Sequence, residues 1–295
     1  LDDPQNHRGL VISHRGGEVE VEITPDQPTI QCKLRSNLGD IVAGDQVVFR
    51  RDDKDQTAII GITERDNLLR RQDGFGQTKT VAANISQLII CLSVEPEPNL
   101  FLLDQYLLSA EQQNIEALIV LNKIDLLANK TDPFALESIY LGMGYNIIYT
   151  SVETHQGIEQ LRAACVSQVN VLSGVSGVGK SSLTKALLPD IDIRIGAISE
   201  TSGEGRHTTR TSRLYHLPGG GKLIDTPGVR GFNPVIDNQQ PIAAGFRDIH
   251  RLAAECRFAN CKHLNEPGCA VRAAYDQGHL AESRFTHYLK MLEAQ

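Results

Sequence analysis

Eight residues, GVSGVGKS at 174–181, restrict the architecture of this chain more than any other stretch of it. They match G-x-x-x-x-G-K-[ST] through Gly174, Gly179, Lys180 and Ser181, follow the apolar run VNVLS and open the helical pattern KSSLTKALL. Glycines let the backbone N–H groups around Ser176, Gly177, Val178 and Gly179 turn inward onto phosphate oxygens. The helix start, with Ser181 and Ser182, adds donors and the positive end of its dipole. Lys180 supplies a point charge for the terminal phosphates, and the Ser181 hydroxyl supplies a ligand for Mg²⁺. The stretch predicts a nucleoside triphosphate site at the end of a strand.

The surrounding segments supply the sheet that such a loop requires. Apolar runs at 87–93, 115–121, 146–151 and 168–174 read as buried strands, and 100–113, 133–142 and 157–166 have helical spacing. Strands alternating with helices mean a parallel sheet covered on its faces, with ligands bound beyond the carboxyl ends of the strands.

Downstream, KLIDTPGVRGF (222–232) offers a short strand ending in Asp225, then Thr226-Pro227-Gly228. Asp225 is placed to hold Mg²⁺ through water, and Gly228 to present its N–H to the γ-phosphate. Between the two motifs lies the polar segment 198–214, which reads as a switch that orders around metal and γ-phosphate. Thr208 or Thr209 is expected to ligate the metal there.

Upstream, NKID (122–125) ends an apolar run. A carboxylate only accepts hydrogen bonds and takes two in parallel. Guanine offers two adjacent N–H donors where adenine offers a donor beside an acceptor, so a desolvated Asp125 selects guanine. Asn122 would contact the purine and tether the loops, with the Lys123 stem along the base. The Ser151 N–H, in YTSVE, is the candidate for guanine's carbonyl. An adenine-using kinase and a non-catalytic nucleotide sensor are the competing readings. Asp125 speaks against the first, and the complete Lys180, Ser181 and Asp225 set against the second.

The base motif thus precedes the phosphate loop, which precedes the switch and Asp-x-x-Gly. That is the common GTPase order rotated rather than shuffled. Joining the old ends and reopening the chain between two strands leaves every loop at the same sheet edge, and surface termini tolerate such a change. The central segment is therefore read as a circularly permuted GTPase domain.

Residues 10–64 carry five short alternating segments separated by turn-formers, which suggests a small barrel, OB-like or SH3-like. The polar stretch 65–80, with Gly74 and Gly76, reads as a linker. At the other end Cys256, Cys261, His263 and Cys269 follow C-x(4)-C-x-H-x(5)-C, four ligands for a structural tetrahedral Zn²⁺. His250 and His279 are less favourably spaced substitutes. A final helix is expected over 280–292. The resulting plan is a multidomain α/β protein: an OB-like barrel at 1–70, the permuted domain at 71–231 and a mostly helical zinc-binding unit at 232–295.

The net charge of −7 speaks against indiscriminate nucleic-acid binding, so an RNA partner would be met by local patches such as Arg50-Arg51, Arg70-Arg71 and Arg206/Arg210/Arg213. With no long apolar run and clustered cysteines suited to metal, the expectation is a cytoplasmic, membrane-free monomer.

In its motif order, its barrel and the stretches TVAANISQLII, VLNKIDLL, GVSGVGKSSL, GRHTTR, DTPGVR and CRFANCKHLNEPGCAV, the chain resembles the RsgA (YjeQ) family over roughly residues 8–292. The resemblance implies an OB domain, a permuted GTPase domain and a zinc domain. It also implies GTP hydrolysis stimulated by the small (30S) ribosomal subunit and its rRNA, in late maturation of that subunit. Val229 stands where many GTPases carry a water-orienting Gln. The family's proposed substitute corresponds to His207, so Lys180, His207 and Thr208 form the expected catalytic set.

Overall fold

The computed structural model describes residues 6–34, 38–51, 56–72, 77–127, 133–189, 191, 212–226, 233–237 and 239–294. Its first five strands are β1 (Asn6–Arg15), β2 (Glu18–Glu22), β3 (Ile30–Lys33), β4 (Gln46–Arg51) and β5 (Thr57–Ile62). They follow the order β1-β2-β3-β5-β4, and β4 returns to pair with the first half of β1. The long β1 serves two neighbours because it shifts register between Val11 and Ser13, the local bend that a bulge gives a strand. With its parallel β3–β5 pair, this closed arrangement is the OB rather than the SH3-like alternative. Val11, Val19, Val21, Val47, Phe49 and Ile59 fill it from the inward positions of each strand.

The stretch 65–80 is not a linker. It contributes β6 (Leu68–Gln72) and β7 (Thr78–Ala83), an antiparallel pair. Polar outward residues such as Arg70 hide the alternation, while Leu69, Val81, Ala82 and Ala83 are buried. Gly74 and Gly76 fall between the strands, outside the described residues, and the boundary expected at 70/71 falls inside β6.

The central sheet comprises β8 (Gln87–Ser93), β9 (Glu116–Asn122), β10 (Asn146–Tyr149), β11 (Val169–Ser173), β12 (Arg213–His216) and β13 (Lys222–Asp225). The order is β10-β9-β8-β11-β13-β12, parallel except for β12. β8 is buried along its whole length, which a strand covered on both faces requires. The helices are α1 (Leu100–Gln112), α2 (Leu136–Tyr140), α3 (Ile158–Cys165) and α4 (Lys180–Leu187). α1 starts where the Asn99 side chain accepts the Leu102 N–H. The helix expected over 133–142 is shortened to α2 between two 3₁₀ turns, because Phe134 and Ala135 take positive φ and Gly144 ends the segment. β12 also pairs with β1 through Ser13 and Arg213, so barrel and central sheet form one 11-stranded sheet.

A short β14 (Asn233–Pro234) pairs with β6. The chain then enters α5 (Arg247–Ala253), α6 (Ala270–Asp276) and α7 (Glu282–Glu293), packed around Phe246, Ile249, Val271, Phe285 and Tyr288. None of the described helices is long and apolar enough to cross a membrane. One buried ionic cluster fastens this segment to the central domain. The Arg284 guanidinium takes both oxygens of Asp248, at 2.9 and 3.0 Å, and donates to Asp104 of α1 at 2.5 Å. Tyr140 and His287 complete the shell of Asp104, and the guanidinium carbon lies 4.3 Å from the centre of the Phe246 ring.

Removing one partner from such a cluster strands the others in low dielectric, at a cost of about 3–5 kcal/mol. Arg284→Met should therefore lower unfolding stability by about that amount in urea titrations. A loss below about 1 kcal/mol would show that water reaches the cluster.

Candidate nucleotide and metal sites

β11 ends at Ser173, the loop runs to Gly179, and α4 begins at Lys180. Two glycines are dictated by close approach as well as by positive φ. A Cβ at Gly174 would lie 2.3 Å from the Cys91 carbonyl oxygen, and one at Gly179 would lie 2.3 Å from the Asn122 side-chain nitrogen. Ser176, Gly177, Ser181 and Ser182 are exposed at the mouth of the loop, while Val178 is buried beneath it. Lys180 curls over the loop and donates to the carbonyls of Gly174 and Val175, each at 2.7 Å. Burial depresses its pKa, so an anionic ligand would restore what desolvation removes. Burial pushes the nearby Cys91 thiol up to about 12, so it stays neutral and does not offset the lysine.

The base loop is joined directly to this loop. Asn122, buried at the end of β9, donates to the Val178 carbonyl at 3.0 Å and accepts from the Thr150 hydroxyl at 3.1 Å. The expected tether is thus present. Lys123 takes left-handed geometry, with φ of 62°, and its ammonium donates to the Glu95 carbonyl at 2.6 Å. Asp125 is exposed rather than desolvated, and accepts the Ser151 hydroxyl at 2.5 Å. The Ser151 N–H, expected to face a base, instead donates to the Gln156 carbonyl. The serine serves this site through its hydroxyl, which orients the aspartate.

Asp225 ends β13, one strand from the phosphate loop. Burial raises its pKa, opposed by the Thr226 N–H. A desolvated carboxylate of this kind suits a divalent cation, so Ser181 and Asp225 fit Mg²⁺ in chemistry and in their place on the sheet edge. His207, Thr208, Thr209 and Gly228 lie outside the described residues.

Cys256, Cys261, His263 and Cys269 bring their ligand atoms within 4.8 Å of one another. His263 Nδ1 lies 3.4 Å from Cys269 Sγ and 3.6 Å from Cys256 Sγ, and those two sulfurs are 4.0 Å apart. A tetrahedral ion at the usual thiolate and imidazole distances spans ligand pairs about 3.4–3.8 Å apart. The four residues fit a metal ion, and neither His250 nor His279 belongs to the cluster. His263 is buried, with φ of 61°, a strained geometry held by its surroundings. Glu266 gathers the N–H groups of Lys262, Leu264 and Asn265, and Tyr288 donates to the Lys262 carbonyl.

Three contributors escape a reading of the sequence. Thr150 anchors Asn122, and Glu266 shapes the metal loop. Tyr106 of α1, its pKa pushed up to about 12 by burial, aims its hydroxyl at Ser173 and the Gly174 backbone. Within α1, Tyr106 reads as one more core aromatic. Glu266 follows Asn265 and precedes Pro267, which offers a turn signal but not a role.

The raised Asp225 pKa carries a sign that can be checked. An acid protonated more readily when folded favours the native state as pH falls through the raised value, and its charge costs stability above it. Asp225→Asn should leave the nucleotide-free protein equally stable or raise its melting temperature, by about 2–4 °C per kcal/mol, while Mg²⁺-dependent turnover falls. A lower melting temperature in differential scanning calorimetry would contradict this.

Comparison with known proteins agrees with the motif order and the fold. Residues 62–234 match the family model described as RsgA GTPase. The small ribosomal subunit biogenesis GTPase RsgA of Pseudomonas fluorescens strain SBW25 is 42% identical over 289 residues, covering 96% of this chain and 84% of that protein. Its counterpart from Ectopseudomonas mendocina is 43% identical with the same coverage. Among solved structures, YjeQ from Thermotoga maritima superposes with a TM-score of 0.80 at 33% identity, over 98% of each chain. YloQ, described as a circularly permuted GTPase, gives 0.75 at 27% identity, over 99% of this chain and 96% of that one. With its base loop preceding its phosphate loop, and both held at one sheet edge by Asn122, this chain belongs to the RsgA family of circularly permuted GTPases.

Proposed function

We propose that this protein binds the small ribosomal subunit and hydrolyses GTP to GDP and phosphate in response, in late maturation of that subunit. The observation that carries the reading is the bond from Asn122 to the Val178 carbonyl, which sets a guanine-type loop against a phosphate loop. In this reading Asp125 takes guanine's paired N–H donors and Asn122 its far edge. The Ser151 N–H is engaged by the Gln156 carbonyl, so Ser151 contributes through the hydroxyl that holds Asp125. The N–H groups of 174–179 and of the first turn of α4, with Ser182, enclose the phosphates, and Lys180 neutralises their terminal charge. Mg²⁺, when bound, would supply positive charge against the negative charge that develops in hydrolysis. Ser181, Asp225 and Thr208 or Thr209 would hold it, Gly228 would meet the γ-phosphate, and His207 would orient the attacking water.

The family resemblance supports three units, a barrel, a permuted GTPase domain and a C-terminal unit from about 232, with the first boundary placed before β6 rather than at 70/71. It also supports a monomer and a cytoplasmic location beside the ribosome and its rRNA. The cysteine cluster would hold a structural Zn²⁺, since three thiolates and one imidazole leave no open position.

Two measurements test these assignments. GTP turnover should rise strongly with purified small subunits. Asp125→Asn should lose about 10²-fold or more of kcat/KM for GTP, the scale of two charged hydrogen bonds, and gain xanthosine triphosphate hydrolysis. Turnover indifferent to subunits would leave a GTPase with another partner. Separately, metal analysis should return zinc, and a chelator should melt 247–294 by circular dichroism, because binding and folding free energies are shared in such sites. A chelated protein with an unchanged spectrum would make the ion dispensable.

A further inference from the structure

Arg213, the first residue of β12, stands between two units. Its Cα partner is Ser13 of the barrel on one side and Asp225 on the other. Directly opposed residues of an antiparallel pair point their side chains to the same face, with Cβ atoms about 4.5–5.5 Å apart, well within an arginine's reach. Burial raises the pKa of the Tyr215 phenol, Asp225 and Glu20 add to that rise and Arg213 opposes it, and the Arg213 guanidinium carbon lies 5.8 Å from the ring centre. Two carboxylates therefore flank one guanidinium.

The guanidinium is committed to one of them. It pairs with both oxygens of Glu20 on β2, at 2.5 and 2.9 Å, and Glu20 is held for it by the Thr29 hydroxyl at 2.8 Å and the Ser13 hydroxyl at 2.9 Å. That two-point pairing fixes the guanidinium plane on the Glu20 side of the seam. Among the described residues Arg213 makes its ion pair with Glu20 and not with Asp225, although Asp225 sits directly across the ladder.

We propose that Glu20 is a positioning residue for the magnesium site: by engaging Arg213 it withholds the guanidinium from Asp225 and leaves that carboxylate to the metal. The barrel is thereby a control element for the nucleotide site. Whatever draws β2 away from β12 releases Arg213 to its cross-strand neighbour, where a fixed cation competes with Mg²⁺. This rests on the reading of Asp225 as a magnesium-holding residue.

Glu20→Gln is the informative substitution. It removes the charge while keeping the shape, and the Glu22–His216 pair at 2.8 Å still bridges β2 and β12. Mn²⁺, which electron paramagnetic resonance detects directly, is titrated into the GDP-loaded protein. Metal affinity should fall about tenfold in Glu20→Gln, a fraction of what a unit charge about 5 Å away produces near a protein surface. Arg213→Gln should bind Mn²⁺ like wild type, and Glu20→Gln/Arg213→Gln should recover wild-type affinity. If the pair merely held the seam closed, Arg213→Gln would be as weak as Glu20→Gln and the double variant no better, which would overturn the proposal. Asp225→Asn separates the two levels. A weakened Asp225→Asn beside an unchanged Glu20→Gln sinks this proposal alone, whereas wild-type affinity in Asp225→Asn removes the magnesium reading and the proposal with it.

Discussion

The side-chain amide of Asn122 ties the nucleotide site together. Buried between two loops, it donates to the phosphate loop and accepts from Thr150. Each loop fixes the other's position with bonds that water does not replace. The amide approaches so closely that Gly179 cannot carry a side chain. This contact is available because β8, β9, β11 and β13 run parallel and release their loops at one edge. Permutation moves the chain ends without touching that edge, so the base loop precedes the phosphate loop in sequence yet meets it in space.

The flanking units are attached by charge as much as by apolar surface. On one side Arg284 is buried against Asp104 and Asp248. Asp104 sits on α1, the helix whose Tyr106 faces the start of the phosphate loop. On the other side Glu20 and Glu22 of β2 hold Arg213 and His216 of β12. The buried Arg284 cluster is costly to break and selective in geometry, whereas Arg213 and His216 are partly exposed. The barrel and the metal-binding segment are thus both linked to elements that carry nucleotide-site residues, α1 on one side and β12–β13 on the other.

Much of this was legible in the chain because its signals are local. The phosphate loop, the base motif and the four-ligand cluster occupy short windows, and each demands specific residue types at set spacings. The strands at 87–93 and 115–121 announce themselves as continuous apolar runs. The hairpin β6–β7 did not, because exposed polar side chains and two glycines in 65–80 imitate a linker. Its partner, β14, lies far along the chain. The shortened α2 likewise reflects positive φ at Phe134 and Ala135, a backbone choice that helical spacing does not reveal.

The sequence alone determined the motifs of the protein: a phosphate loop, an Asn-Lys-x-Asp loop, an aspartate at the end of a strand, a cluster of three cysteines and a histidine, and the rotated order that connects them. Only the tertiary structure decided which group each residue actually faces. Ser151 gives its hydroxyl to Asp125 and its N–H to the Gln156 carbonyl rather than to a base, and Arg213 pairs with Glu20 rather than Asp225. Residue type and spacing report what a side chain is able to bind. Which neighbour it meets depends on strand register and on contacts between segments distant in the chain, and these exist only once the chain has folded.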